Sequence, residues 1–556
     1  MSIENNENHV VNLEGFRGNP LLKRAGVKIN WTNDLVEEYV KCKNDPIYFA
    51  ENYVKIITEE GLVPIKLRDY QKEFIGYMIN DRSVLAIQSR QSGKTECIRV
   101  FVLHYILFND QKTVMILANK EAIAKEILGK IQIAYQNLPL WLQQGTNDFS
   151  KSSRIVLENG CRVIAAATSS DAIRGFTAHA LVLDELDHID NFSTFYAAVR
   201  PTISAGKNTK LIMATTPNGL RQAYKFWKDS EEGRNEIKRI FVPWNMVPGR
   251  DQAWADRELA EMGGDQAKFD QEYNCSFLGS SGTLISGQAL RDLTFIHALT
   301  EVDGLSIYEQ PIKAEPGGAN MSHQYAIVCD VSRGKGLDYS AFSVIDITEM
   351  PYKQVCTYRN NTTPPVEYAE VIYRVGKHYN EAVALVEIND LGGQTVDHLF
   401  DLEYENVLYT ESGGRNGKKI SIRAGTSSER GVRTTTSVKA TGCALLKLLV
   451  EQKQLIINDF ETIEELSRFS RKNNSYEAES GAHDDLVMGL VLFAWLSDQN
   501  FFKELTDINT ISRLRERSQE EMERDLLPFG IEFDHMPEGE ASIEIGYDAF
   551  DKWMLD

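Results

Sequence analysis

The sequence has little of what marks a secreted or membrane-bound protein. No apolar run approaches the roughly 18–20 residues of a membrane span. The opening MSIENNENHVVNLEGFRGNP is polar and holds no apolar signal core. Cysteine is sparse and odd in number, with seven residues at positions 42, 97, 161, 275, 329, 356 and 443 and no CxxC or Cys/His zinc spacing. Buried, reduced thiols are therefore expected, not a disulfide framework or a structural zinc. No internal repeat is visible, which sets aside a solenoid. Positive charge is also short: 60 Lys+Arg face 80 Asp+Glu, a formal net charge of −20. At first sight that balance argues against a nucleic-acid partner. What is present is ordinary globular composition, 42% hydrophobic and 25% charged over 556 residues, enough for two or more domains.

Residues 1–60 read as a polar, helical segment. From Val84 onward short β-rich runs alternate with helical stretches, which predicts an α/β fold with a mostly parallel sheet. Strands are expected at 84–87, 113–118, 181–183 and 211–214, and helices at 94–108, 121–136 and 251–273. Residues 154–158 and 162–166 flank Asn159-Gly160, a hairpin signal. A second alternating region opens at Gln324, with strands at 325–330, 341–347, 354–359 and 382–388 and helices at 366–378, 437–452 and 485–495. These patterns divide the chain into a P-loop domain over 61–285, a linker over 286–320, a second α/β domain over 321–500 and a tail over 501–556. The tail holds 15 Asp/Glu against 6 Lys/Arg, a net of −9.

The stretch Gln88-Ser89-Arg90-Gln91-Ser92-Gly93-Lys94-Thr95 lies between an apolar strand and a helix. Gly93, Lys94 and Thr95 fit a P-loop, although Gln88 stands where its first glycine would be. Backbone N–H groups of Ser89 to Gly93 then face phosphates at a helix N-terminus, Lys94 pairs with the β/γ-phosphates and Thr95 ligates Mg²⁺. About 90 residues on, Leu181-Val182-Leu183-Asp184-Glu185 is an apolar strand ending in two carboxylates. Asp184 is placed to hold the Mg²⁺ shell and Glu185 to polarise the attacking water. Asp187 and His188, which follow, read as solvated turn residues. Three weaker elements agree. Thr215 and Thr216 end a strand and are placed to sense the γ-phosphate. Gln71, in Leu67-Arg68-Asp69-Tyr70-Gln71, carries an amide able to read adenine. Arg90 lies inside the loop, where a guanidinium meets charge developing on the γ-phosphate.

Asp330 ends the apolar run YAIVCD, Asp338 follows a Gly-bearing turn, Glu387 sits in ALVEI, and His483-Asp484-Asp485 opens an apolar helix. A carboxylate in an apolar strand is costly unless paired or metal-bound. This set matches the carboxylates of an RNase H-like nuclease, in which two Mg²⁺ activate water and stabilise the leaving oxygen of a phosphodiester. Asp484 is taken as the third catalytic acid, with Asp485 an equal candidate as metal ligand. Asn389 and Asp390 read as loop residues. Over 411–439 there are seven Lys/Arg against two Glu. Arg415, Lys418, Lys419, Arg423, Arg430, Arg433 and Lys439 are candidates to neutralise phosphates.

The P-loop with an internal arginine, the Asp-Glu strand end, Thr215-Thr216-Pro217-Asn218-Gly219 and the downstream acids occur in one order. Over about residues 40–500 this resembles the large terminase subunit of tailed bacteriophages, most similar to the myophage headful-packaging type. The resemblance implies an N-terminal ASCE-type ATPase that pumps double-stranded viral DNA into a prohead through the portal. It also implies a C-terminal RNase H-like endonuclease that cuts concatemeric DNA at initiation and termination of packaging. Gln71 would sit at adenine, Arg90 would be a cis arginine finger, and Thr215 and Thr216 would belong to the coupling motif. ATP and Mg²⁺ are the implied cofactors, with Mn²⁺ able to substitute at the nuclease. The implied partners are DNA, the portal, a small terminase subunit and further copies in a ring, taken as a pentamer, with a monomer in solution. The implied setting is the host cytoplasm and the prohead portal, not the mature virion. A helicase–nuclease shares the P-loop and Asp-Glu pair, and a transposase shares the acids, but neither usually joins the Thr-Thr-Pro-Asn-Gly element to such a trio in this order.

The charge of −20 then divides. The tail holds −9 of it and the stretch 411–439 is +5, so the acidic total does not exclude DNA.

Overall fold

The computed structural model describes residues 15–150, 154–168, 177–189, 192–204, 206, 208–277, 282–313, 322–332, 339–389, 391–411, 419–421, 428–472 and 475–506. Contacts divide the chain into two units, Met1–Gly279 and Ser280–Asp556.

The first unit opens with α1 (Asn33–Asn44) and α2 (Pro46–Tyr53), whose starts are capped by Thr32 and Asp45. The expected helical segment does not run to residue 60. An antiparallel hairpin of β1 (Lys55–Thr58) and β2 (Gly61–Pro64) follows, closed at Gly61. Next come α3 (Asp69–Asn80), β3 (Ser83–Gln88), α4 (Lys94–Phe108), β4 (Thr113–Ala118), α5 (Glu121–Gln136), β5 (Thr146–Ser150), β6 (Arg154–Leu157), β7 (Arg162–Ala167) and β8 (Ala180–Asp184). After these lie α6 (Phe192–Ser204), β9 (Lys210–Thr215), α7 (Gln222–Glu231), β10 (Lys238–Val242), α8 (Gln252–Glu261) and α9 (Gln266–Glu272). The expected single helix over 251–273 is split, because Gly263 and Gly264 both take positive φ, +75° and +77°.

The strands form one sheet in the order β10-β3-β9-β8-β4-β7-β6-β5, parallel from β10 to β7 and antiparallel beyond. Alternate residues of its central strands enter two different cores. Val84 and Ala86 join Phe49, Phe74, Phe101 and Ile131 from α2 to α5, whereas Leu85 and Ile87 join Phe195 and Val199 of α6. Burial on both faces is why these strands read as unbroken apolar runs. Each fully buried Val, Leu or Ile contributes about 1.5–3 kcal/mol. The carboxyl ends of parallel strands, where ligands bind in such sheets, bring together the ends of β3, β4, β8 and β9.

The second unit has α10 (Gly287–Asp292), β11 (Thr300–Val302), β12 (Leu305–Ile307), β13 (Tyr325–Asp330), β14 (Ser340–Asp346), β15 (Tyr352–Asn360), α11 (Pro365–His378), β16 (Val383–Val386) and α12 (Gly392–Asp401). It continues with β17 (Tyr409–Glu411), β18 (Lys419–Ser421), β19 (Ser428–Arg430), α13 (Thr436–Glu451), β20 (Leu455–Ile456), α14 (Phe460–Arg468), β21 (Phe469–Lys472), β22 (Ser475–Ala478) and α15 (Asp485–Ser497). Its main sheet runs β11-β12-β15-β14-β13-β16, with β20 beside β15. β13, β14 and β15 form an antiparallel meander, and β16 lies parallel to β13. The stretch 286–320, read as linker from sequence, thus supplies α10 and two strands, because Leu305 and Ile307 are buried against β15. Helices α11 and α12 cover one face through Tyr368, Ile372 and Leu399. α15, apolar around its whole circumference, packs on β13 and β14 and against α13. All seven cysteines are buried and unpaired.

Candidate active sites

The first site lies at the carboxyl end of the first sheet. After β3 the chain turns through Ser89 to Gly93 and enters α4 at Lys94. Gln88, in place of the first P-loop glycine, is fully buried and accepts a hydrogen bond from the Ser92 hydroxyl at 3.0 Å. Its side chain thus props the loop from within. Gly93 has φ +92°, and a Cβ there would stand 2.3 Å from Gln71 Nε2. Only glycine meets both demands. The stretch around Gln71 buttresses the loop. The Tyr70 hydroxyl donates to the Ser92 carbonyl at 2.8 Å, and Gln71 Oε1 accepts from the Arg68 N–H at 3.0 Å. Gln71, expected at the adenine, is buried with its amide against the backbone of Ser92 and Gly93.

Lys94 Nζ stands 3.4 Å from Glu185 Oε1 and donates to the Thr216 hydroxyl at 3.1 Å. Glu185 follows β8 in a left-handed conformation, φ +53°, a position that turns its carboxylate out of the strand direction. Asp184 is 5% exposed, and its Oδ1 has no hydrogen-bond partner among the described residues. Burial pushes its carboxyl up to about 6, with Lys94 opposing and Glu185 adding to the rise. A buried carboxylate with an unspent oxygen is a ready cation ligand. Thr215 is buried on β9, the strand between β3 and β8, and its hydroxyl donates to the Thr216 carbonyl at 2.8 Å. The cleft holds about 450 Å³ and is lined by Arg90, Gln91, Ser92, Gly93, Lys94, Thr95, Glu185 and Thr216. That volume suits a nucleotide-sized ligand.

The second site lies at the ends of β13 and β16. These parallel neighbours pair Cys329 with Val386, so Asp330 and Glu387 emerge side by side. The Glu387 N–H donates to the Cys329 carbonyl at 2.9 Å, and its carboxylate accepts from Asn389 Nδ2 at 2.9 Å. Asn389, read as a loop residue, therefore holds the acid. A Cβ on Gly392 would come within 1.8 Å of the Glu387 carbonyl, so the chain turns tightly behind this residue. Asp484 is the N-cap of α15 and Asp485 its first residue. The Asp330 carboxyl is held well above its ordinary range, first by burial, then by Glu387, and further by Asp485 and Asp484. Four acids from two strand ends and one helix end are thereby brought within electrostatic reach. Among the described residues no three His, Cys, Asp or Glu side chains form a preassembled metal cage. Asp338 and Asp390 lie outside the described residues.

Residues 85–292 match the family profile of the N-terminal part of the T4likevirus-type terminase large subunit, and residues 327–494 match the terminase RNaseH-like domain. The chain belongs to the terminase large-subunit family. As a member of that family it is an ATPase and a nuclease of viral DNA packaging. Similar solved structures include the HK97 bacteriophage large terminase, at 12% identity and TM-score 0.46 over 82% of this chain and 99% of that one. The ATPase domain of the Thermus phage P74-26 large terminase is similar at 20% identity and TM-score 0.34, over 38% and 94%. The large terminase nuclease of thermophilic phage G20c, with bound cobalt, is similar at 20% identity and TM-score 0.30, over 39% and 98%.

In this terminase Arg90 is held by Glu272 of α9, with Nε to Oε2 at 2.6 Å and Nη2 to Oε1 at 3.0 Å. That partner raises the Arg90 pKa. Of the basic residues, Arg415, Lys418 and Arg423 lie outside the described residues, and Lys419 begins β18. The Arg430 guanidinium sits 3.8 Å over the Phe400 ring and donates to the Tyr409 hydroxyl at 3.0 Å. Arg433 forms a two-pronged pair with Glu429, and the Lys439 ammonium lies 5.6 Å over the Phe469 ring. Among the described residues, Arg430, Arg433 and Lys439 thus each face a ring or a carboxylate of the same unit.

Several residues of the terminase cleft escaped sequence reasoning. Glu96, Asn119, Ile123, Lys130 and His188 also line it. Asn119 directly follows a fully buried strand, β4, and such a carboxyl-end polar residue is the available signal. Asp187 is a correction. Far from being solvated, it is 1% exposed, and its carboxylate accepts from the Asn218 N–H at 3.2 Å and the Ala223 N–H at 2.8 Å. The Arg221 guanidinium also donates to its carbonyl. Asp187 therefore ties the Asp-Glu strand end to the Thr-Thr-Pro-Asn-Gly segment. Asp187→Ala leaves buried donors unmet, so a loss of about 2–4 kcal/mol is expected. Thermal unfolding checks this, and an unchanged midpoint would return Asp187 to a peripheral turn.

Proposed function

We propose that this chain is the motor and headful nuclease of a tailed phage, acting at the portal of the prohead in the host cytoplasm, with a small terminase subunit and further copies of itself in a ring. The observation that carries this reading is one chain with Lys94, Glu185 and Thr216 around one cleft, Asp184 ending the strand before Glu185, and Asp330 and Glu387 on adjacent strand ends.

In the motor, Mg²⁺ at Thr95 and Asp184 would neutralise the β/γ-phosphates of ATP. Lys94, now shared between Glu185 and Thr216, would turn to the phosphates and release Glu185 to take a proton from the attacking water. Thr216, hydrogen-bonded to the Gln88 carbonyl at 3.4 Å, reports on that change to the P-loop strand. Arg90 would leave Glu272 to meet the charge developing on the γ-phosphate. An exposed ion pair of this kind costs only about 0–1 kcal/mol to give up.

In the nuclease, the donor set is all carboxylate oxygen, which suits Mg²⁺ or Mn²⁺. Acids that raise one another's proton affinity are the arrangement a cation would relieve. Bound metal would activate water and stabilise the leaving oxygen of the phosphodiester. Asp330 and Glu387 would hold it from adjacent strands, with Asp338 completing the set. Of the α15 acids, Asp485 acts on Asp330 more strongly than Asp484 does, while Asp484 Oδ2 accepts the Ala478 N–H at 3.2 Å. We therefore assign Asp485, in place of Asp484, as the third acid. Basic residues of 411–439 would meet the DNA backbone.

The test combines the full chain, its small subunit, portal-bearing proheads, linear duplex DNA, ATP and Mg²⁺. Full-length DNA is expected to become nuclease-resistant only with ATP. Duplex unwinding without proheads, and no protected DNA, would overturn the motor reading in favour of a helicase.

A further inference from the structure

Helix α15 carries Asp484 and Asp485, yet its own N-cap side chain does not cap it. Asp484 makes no side-chain bond to the first turn. That duty falls to Glu465, 6% exposed on α14, whose Oε2 accepts the N–H of Leu486 at 2.9 Å and of Val487 at 3.1 Å. An Asp at an N-cap is ordinarily spent on these donors. Here a residue from another helix takes them, and Asp484 bonds the Ala478 N–H instead.

The choice of Glu is electrostatically awkward. It places a further carboxylate beside Asp485 and Asp484, whereas Ser or Asn would cap without charge. Arg359, on β15, offsets this. Its Nη2 lies 3.3 Å from Glu465 Oε1 and its Nη1 3.3 Å from Glu461 Oε2. Its guanidinium also lies 4.0 Å over the Tyr339 ring. Tyr339 directly follows Asp338 in the chain, and the His483 ring stands against it edge-on, centroids 4.9 Å apart. One guanidinium thus touches the residue after Asp338 and the carboxylate that pins the start of α15.

We propose that Arg359 and Glu465 are positioning residues of the nuclease, fixing the start of α15 so that its acids face Asp330 and Glu387. A buried ion pair of this kind is a poor source of net stability, because desolvation offsets the Coulomb gain. Its value lies in orientation, as with groups that orient metal ligands elsewhere, whose loss typically costs about 10–100-fold in metal affinity or activity. The inference rests on the nuclease reading above.

The test uses the full chain with Glu465→Ala, Arg359→Met and the conservative Arg359→Lys. Mn²⁺ binding without nucleotide, cleavage against Mn²⁺ concentration, hydrogen exchange in EDTA and ATPase rate are measured together. For Glu465→Ala and Arg359→Met, Mn²⁺ affinity is expected to fall by about 10–100-fold. Cleavage should recover toward the parental rate at saturating Mn²⁺, amides at 486–487 should exchange faster, and ATPase should hold. Arg359→Lys should fall between parent and Arg359→Met. If Glu465→Ala unfolds the nuclease, Arg359→Lys decides: a measurable rightward shift in the Mn²⁺ dependence supports the proposal, and no shift overturns it. Parental Mn²⁺ affinity in folded Glu465→Ala and Arg359→Met overturns it while the nuclease reading stands. A parent protein that neither binds Mn²⁺ nor cuts DNA takes both down.

Discussion

Glu185→Gln stops ATP turnover while ATP still binds. Glutamine keeps the shape of the side chain at φ +53° and loses only the base. General-base catalysis of this sort contributes about 10²–10⁴-fold, and kcat is expected to fall by that factor. The binding side should move far less. Lys94 Nζ is 3.4 Å from Glu185 Oε1 before nucleotide arrives, so ATP competes with this carboxylate for the ammonium. Removing the charge removes the competitor, and ATP affinity should hold or rise by less than about tenfold, which is 1.4 kcal/mol. Equilibrium binding of a fluorescent ATP analogue, beside steady-state phosphate release, separates the two. Normal turnover would show that another group deprotonates the water, and His188, whose Nδ1 lies 3.5 Å from Glu185 Oε2, would be the first to examine.

Much of this site was legible because periodicity and punctuation act locally. The helix at 94–108 and the strand at 113–118 emerge with the expected bounds, since one is bounded by the P-loop turn and Asn109, and the other is buried on both faces. What could not be read depends on distant partners. Asp187 looked like a solvated acid after a strand end. It is buried because Asn218 and Ala223, more than thirty residues on, bring N–H groups to it. Gln71 carries an amide suited to a base, and its contact with the Ser92 and Gly93 backbone depends on where α3 packs against the P-loop. Residues 286–320 have the Pro and Gly of a linker, yet Leu305 and Ile307 find the edge of β15. The break near Gly263 illustrates the opposite fault: a periodic pattern was read through two glycines whose positive φ ends the helix.

Asp330→Asn, the second large effect, should abolish cleavage without weakening the fold. A residue that only orients metal ligands costs about 10–100-fold when lost, so a direct ligand should cost more than about 100-fold. ATPase should be unchanged, because Lys94, Asp184 and Glu185 belong to the other unit. The sign of the charge effect predicts that inactivity does not come from unfolding. In metal-free protein the Asp330 carboxyl is held above its ordinary value near 3.8 by burial and by Glu387. The folded state therefore binds this proton more tightly than the unfolded chain does. Its contribution to stability is greatest below the ordinary carboxylate range and is lost as pH rises toward the raised value. Asparagine removes that loss. In EDTA at neutral pH the variant should unfold at the parental midpoint or above it, and its midpoint should depend less on pH on the way up from about 4. Intact cleavage would remove Asp330 from the metal set. Lost cleavage with a lowered, pH-independent midpoint would mean that the carboxylate is a structural hydrogen-bonding group at the end of β13 and not a ligand.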